Sequence, residues 1–165
     1  MIEIRKATTQ DAAQIVQVMA DAEQSGFMLF SPGERQITAE GLAKMIANLN
    51  NEAKSGLFIP QEGEVILGYM IVRNDNPERI AHRAYLVIGV HSNSRGKGVG
   101  KSLFSFVLNW AKEEGLHRLE LTVLVKNEAA VHLYKRMGFE IEGIKKHSLY
   151  INGQYEDEYY MVKLL

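Results

Sequence analysis

The segment from Ala84 to Ser102 limits the fold more than any other part of this 165-residue chain. Ala84 to Val90 is an apolar, alternating run of strand type. A turn rich in glycine follows, Val90-His91-Ser92-Asn93-Ser94-Arg95-Gly96-Lys97-Gly98-Val99-Gly100-Lys101-Ser102. From there Val99, Leu103, Phe106, Val107 and Trp110 recur at helical spacing until Gly115, and Leu119, Leu121, Val123 and Val125 alternate as another strand. Strand, helix and strand in that order predict two parallel neighbours joined by a helical crossover. The turn between them also has a chemical consequence. It presents several backbone N–H groups to one point, with the positive end of a helix dipole behind them, and phosphate is the usual guest of such a site. Glycine there permits positive φ and leaves room for a ligand to approach the backbone.

Two common nucleotide signatures do not fit. Gly100-Lys101-Ser102 supplies the end of G-x-x-x-x-G-K-[ST], but the first glycine falls on Arg95. No apolar strand ends in an Asp placed to hold magnesium, which phosphoryl transfer by such enzymes requires. G-x-G-x-x-G also fails, because its last place is Lys101 counted from Gly96 and Leu103 counted from Gly98. A glycine-rich surface turn without a ligand is the plainer alternative.

Arg95-x-x-Gly98-x-Gly100 matches a third pattern without mismatch. It resembles the pyrophosphate-binding signature R/Q-x-x-G-x-G/A of the GCN5-related N-acetyltransferases. A second segment, Asn127-Glu128-Ala129-Ala130-Val131-His132-Leu133-Tyr134-Lys135-Arg136-Met137-Gly138-Phe139, resembles that family's N-x-x-A-x-x-L-Y-x-x-x-G-F stretch and lies at the expected distance downstream. The resemblance extends over essentially the whole chain and implies one N-acetyltransferase domain over residues 1–165.

The remaining elements agree in order. Ile2 and Ile4 open a first strand, and Thr8 or Thr9 caps a helix reaching about Ala22, with Ala12, Ile15, Val16 and Met19 on one face. Ser25 to Gln36 is irregular. Thr38 caps a second helix carrying Leu42, Met45, Ile46 and Leu49, which Gly56 ends. Leu57–Gln61 and Val65–Val72 read as a hairpin, and the Tyr85–Val90 strand follows a turn at Asp75-Asn76-Pro77. Asn127 caps a helix with Ala130, Leu133, Tyr134 and Met137 on one face. Phe139–Tyr150 and Gln154–Leu164 close the chain as a hairpin around Asn152-Gly153. The predicted fold is therefore α/β (α+β), a mixed sheet of about seven strands in the order βααβββαβαββ, with the fourth and fifth strands parallel. The family resemblance adds that these two strands splay apart at one end, with Gly89 a position for the disrupting bulge.

Composition narrows the partners. A net charge of −1 gives no global footprint for nucleic acid or an anionic membrane. No apolar run approaches the roughly 20 residues of a membrane-spanning helix, and the first residues read as a strand rather than a signal peptide. The absence of cysteine removes thiol catalysis and disulfides, and fits a cytoplasmic protein. The five histidines show no H-x-x-x-H or HExxH spacing, so no metal is expected.

The resemblance implies acetyl transfer from acetyl-coenzyme A to a primary amine by direct attack, with residue roles carried over to this chain. Ile88 and Val90 would hold the pantetheine arm through backbone groups. Arg95, Gly96, Lys97, Gly98, Val99, Gly100 and Lys101 would hold the pyrophosphate, and Asn127 would flank the arm unless it serves only as a helix cap. The Val90 N–H is the candidate donor to the oxyanion. Tyr134 falls on the family's tyrosine acid, although a core tyrosine would have the same spacing. For the base, Glu34 in the irregular segment is the first candidate and His91 the second, with a water chain as the alternative. Acidic and aromatic residues of the last hairpin (Glu142, Glu156, Asp157, Glu158, Tyr150, Tyr155, Tyr159, Tyr160) would suit a cationic acceptor or merely guard an edge strand. An amino acid, a polyamine and a protein N-terminus all remain open as acceptors, and related enzymes are commonly homodimers. Two rival readings are a non-catalytic acyl-coenzyme A sensor and a phosphotransferase resting on Gly100-Lys101-Ser102.

Overall fold

The computed structural model describes residues 1–165. Its strands are β1 (Glu3–Lys6), β2 (Gly56–Glu62), β3 (Val65–Ile66), β4 (Gly68–Asn74), β5 (Arg83–Val90), β6 (Arg118–Leu124), β7 (Glu140–Ile151) and β8 (Gln154–Leu164). The helices are α1 (Ala12–Glu23), α2 (Ala39–Asn51), α3 (Val99–Glu113) and α4 (Glu128–Arg136). One sheet runs in the order β1-β2-β4-β5-β6-β8-β7, with β3 paired to β2 beside that path. Only the β5–β6 pair is parallel.

The sheet has eight strands rather than seven because the predicted 65–72 strand breaks at Leu67. Ile66 faces Gln61 and Met70 faces Phe58, so four steps on one strand meet three on its partner. Pro60 stands at this break with no N–H to give, and its carbonyl accepts the Leu67 N–H at 2.8 Å. Earlier in the chain, α2 ends at Asn51, so Gly56 opens β2 instead of closing the helix.

Local chemistry explains the helix starts. The Asp11 carboxylate accepts the Thr8 N–H at 2.7 Å and takes the Arg5 guanidinium at 2.8 and 2.9 Å, which fixes the short 3-10 turn leading into α1. Thr38 caps α2 as predicted, its hydroxyl accepting the Gly41 N–H at 3.0 Å. The final hairpin turns through Asn152 and Gly153 at φ 50° and 80°, the conformation an Asn-Gly turn favours.

Strand alternation separates two cores. Phe58, Met70, Val72, Ala84, Leu86, Leu119, Leu121 and Val123 face α3 and α4. Leu57, Ile59, Tyr69 and Ile71 face α1 and α2 on the other side of the sheet. The α3 face is rotated from the sequence expectation, with Phe104 and Ala111 buried and Phe106 at the rim against Phe58.

Gly89 does not form a bulge against β4, since the β4–β5 register is unbroken from Gly68↔Val90 to Asn74↔Ala84. Its lack of a side chain serves a close approach. A Cβ there would lie 2.5 to 2.7 Å from the ring and hydroxyl of Tyr69, which is itself fully buried. Gly89→Ala is therefore expected to cost about 1–3 kcal/mol of stability by overpacking, and an unchanged urea midpoint would contradict the assigned contact.

Candidate active site

The site begins where β5 and β6 part. They pair at Arg83↔Arg118, Ala84↔Leu119 and Tyr85↔Glu120 and at no later register. A side-chain bond closes the vertex of the gap, the hydroxyls of Tyr85 and Thr122 standing 2.7 Å apart. Beyond it β5 has a free edge. The His82 carbonyl accepts the Arg118 N–H on the β6 side, whereas the His91 N–H donates to Leu67 on the β4 side. Alternation therefore turns the N–H and C=O of Ile88 and Val90 toward β6, where no strand receives them beyond the vertex. Ile88 and Val90 thus offer a peptide-like ligand the groups a missing strand would use.

This edge leads directly into the glycine turn. Gly96 and Gly98 have φ of 75° and 79°, and a Cβ on either would meet nothing within 4 Å. The helical bonds of α3 start with the Ser102 N–H donating to the Gly98 carbonyl at 3.0 Å, leaving the amides of residues 96 to 101 without backbone acceptors. Arg95, Lys97 and Lys101 are exposed around them. The free amides, the open space above Gly98 and the three cations fit a pyrophosphate. Gly100 has a different task from the other two. It is buried, and its Cβ would come within 2.7 Å of Leu133, so it sets the approach of α4 to α3.

Tyr134 lies on α4 and Asn127 at its N-terminal cap. Asn127 caps α4, its side-chain oxygen accepting the Ala130 N–H at 3.4 Å, which leaves the side-chain NH₂ free. Tyr134 is 8 % exposed and packs edge-on to Phe104. Burial, and then the phenols of Tyr85 and Tyr69, push its pKa well above the usual value. It is thus a core tyrosine whose phenol stays protonated at neutral pH.

On the α1/α2 side, Glu34 is exposed and turns one carboxylate oxygen back to the Ser31 N–H at 2.9 Å. His91 is engaged as well, its Nδ1 accepting the Asn93 N–H at 3.1 Å and its Nε2 lying 3.6 Å from Asp21. Sequence reading missed Glu23 and Tyr69. Glu23 is 4 % exposed and ion-paired with Arg35, whose guanidinium lies over the Phe30 ring at 4.8 Å. Burial pushes the Tyr69 phenol up to about 12, only partly opposed by the charge of Arg35. A cavity of about 170 Å³ opens beside the vertex, lined by Tyr85, Arg118, Glu120, Thr122, Glu142 and Tyr160. The acids of the last hairpin are largely spoken for. Glu142 clasps Arg118, Glu156 takes Lys126, Glu158 takes the Ser148 hydroxyl and Asp157 takes the His147 N–H.

Comparison with known proteins agrees with this geometry. A family model described as an acetyltransferase (GNAT) domain matches residues 4–160. An L-amino acid N-acetyltransferase of Escherichia coli is 30% identical over 99% of this chain and 98% of its own. The crystal structure of a GNAT-family acetyltransferase from Streptococcus pneumoniae superposes with a TM-score of 0.94 at 28% identity, over 100% of both chains. An acetyltransferase structure from Salmonella typhimurium, determined with acetyl-coenzyme A, gives a TM-score of 0.87 at 20% identity over 99% of this chain and 94% of its own. An open strand edge running into a glycine cradle, a parallel pair that parts, and these matches define a GNAT fold. The chain belongs to the GNAT family and is an acetyltransferase.

The raised phenols give a spectroscopic expectation. Of the seven tyrosines, Tyr69 and Tyr134 should ionise last in an alkaline titration, and Tyr134→Phe should remove one late-ionising group. Both pKa values exceed the unfolded value of about 10. Their stabilising contribution is thus full below that pH and is lost as pH rises through the folded values. A titration in which Tyr134→Phe removes an early group instead would overturn the assignment.

Proposed function

We propose that this enzyme transfers the acetyl group of acetyl-coenzyme A to the primary amine of a small molecule, with an amino acid the first acceptor class to test. The observation that carries the reading is the continuous path from the free β5 edge at Ile88 and Val90 to the amides of residues 96 to 101. The Escherichia coli relative supports the acceptor class, being named for L-amino acids and aligned over nearly its full length.

Acetyl-coenzyme A supplies an acetyl thioester, whose carbonyl carbon the neutral amine attacks, the C–S bond breaking as the C–N bond forms. The chain's residues serve the rest. Ile88 and Val90 hold the pantetheine arm by backbone bonds, and the Val90 N–H donates to the carbonyl oxygen as it gains charge. Arg95, Lys97, Lys101 and the amides from Gly96 to Lys101 neutralise and hold the pyrophosphate. Asn127 steadies the arm with its free NH₂. Tyr134, protonated at neutral pH like any phenol of pKa about 10 or above, gives its phenolic proton to the departing thiolate and recovers one from solvent. The proton released by the nitrogen leaves through water to Glu34, whose second carboxylate oxygen is free.

Calorimetry with acetyl-coenzyme A, followed by coenzyme A release over a panel of amino acids, polyamines and peptide N-termini, tests the reading as a whole. Absence of acetyl-coenzyme A binding, or binding with no acetylated amine, would sink it. Tyr134→Phe is expected to lower kcat by about 10²–10⁴-fold with acetyl-coenzyme A affinity nearly unchanged, and Glu34→Gln to lower kcat/KM. Unchanged turnover removes the residue concerned from the mechanism. Gly98→Asp adds bulk and negative charge where the pyrophosphate would rest. It should weaken acetyl-coenzyme A binding about tenfold or more, equivalent to about 1.4 kcal/mol, and normal affinity would mean that the cradle holds something else.

A further inference from the structure

The donor turn is fastened to the opposite side of the sheet. Asp21, in the last turn of α1, accepts the Ser92 N–H at 2.6 Å and the Ser92 hydroxyl at 2.8 Å, and His91 Nε2 stands 3.6 Å from the same carboxylate. Within the turn the backbone supplies few bonds of its own. The Ser94 N–H donates to the His91 carbonyl at 2.8 Å, but the Arg95 N–H reaches the Ser92 carbonyl only at 3.5 Å. A carboxylate accepting two hydrogen bonds from one residue is a stronger restraint than either of these backbone bonds. Burial works to raise the Asp21 carboxyl, but the Ser92 N–H and hydroxyl, with the charges of His91 and Arg95, outweigh it and hold it below the usual carboxylate range. The anchor is therefore charged at neutral pH.

Its location gives it leverage. Ser92 lies between the last residue of β5, which ends the free edge, and Arg95, which begins the cradle. Amides from 96 to 101 converge on one anion only while the chain enters the turn in a fixed direction. On the same turn of α1, Glu23 is buried against Arg35, so the residue that holds Ser92 rides on a helix end that is itself secured.

We propose that Asp21 is a positioning residue for the donor: by holding Ser92 it sets the direction in which residues 95 to 100 meet the pyrophosphate of acetyl-coenzyme A. This rests on the acetyl-transfer reading given above. Asp21 touches neither the donor nor the reacting atoms. Its effect lies in donor affinity rather than in the chemical step.

The test compares Asp21→Ala and Asp21→Asn with the unaltered enzyme, by calorimetry with acetyl-coenzyme A and by steady-state kinetics. Asp21→Ala should weaken acetyl-coenzyme A binding about tenfold or more, since hydrogen bonds to a charged group are lost. At saturating acetyl-coenzyme A its kcat should stay within about twofold of the unaltered enzyme, as expected when only an equilibrium binding term is changed. Asp21→Asn keeps an oxygen for the Ser92 N–H and should recover most of the affinity. Affinity of Asp21→Ala within twofold of the unaltered enzyme overturns the anchor alone, as does an Asn variant no better than the Ala one. If the unaltered enzyme binds no acetyl-coenzyme A, the acetyl-transfer reading itself fails, which is a separate outcome.

Discussion

Everything functional in this protein depends on a sheet that stops pairing partway along two parallel strands. β5 and β6 share three register pairs and then diverge, and an unpaired strand edge inside a protein is costly unless something else receives its polar groups. Here the cost is met by design of the surroundings. The cores under α1/α2 and α3/α4 secure β5 from both faces, and β4 secures its other edge over its full length. The strand thus keeps its shape without its β6 neighbour.

The crossover that makes the pair parallel also creates the cradle. A parallel connection needs a helix, and α3 must begin within a few residues of the end of β5 for its free amides to face the same gap. Gly96 and Gly98 supply the positive φ this sharp entry requires. Gly100 lets Leu133 of α4 pack closely against α3. One connection thereby brings the glycine turn close to the free β5 edge. Asp21 adds a restraint from outside the connection.

Several features were legible in the sequence because they rest on local chemistry. Arg95-x-x-Gly98-x-Gly100, the Asn127–Phe139 segment, the Thr38 cap and the Asn152-Gly153 turn each work within a few residues of one another. The features that escaped it join residues far apart. Asp21 meets Ser92 across 71 positions, and no spacing marks either as a partner of the other. Tyr69 over Gly89 is a contact between neighbouring strands, so that glycine read as a bulge when its purpose was to admit a ring. The break at Leu67 arose from Pro60, whose missing N–H matters only once the register of β2 against its neighbours is known.

By itself the sequence determined the order of elements, the parallel crossover and the identity of the groups that would hold a pyrophosphate, because periodicity, capping and glycine placement act over short stretches of chain. Only the tertiary structure decided where β5 and β6 part, which amides of β5 face the gap, that burial raises the Tyr134 phenol, and that Asp21 holds Ser92. Those properties depend on burial and on distances between residues remote in the chain. They exist only after the chain has packed.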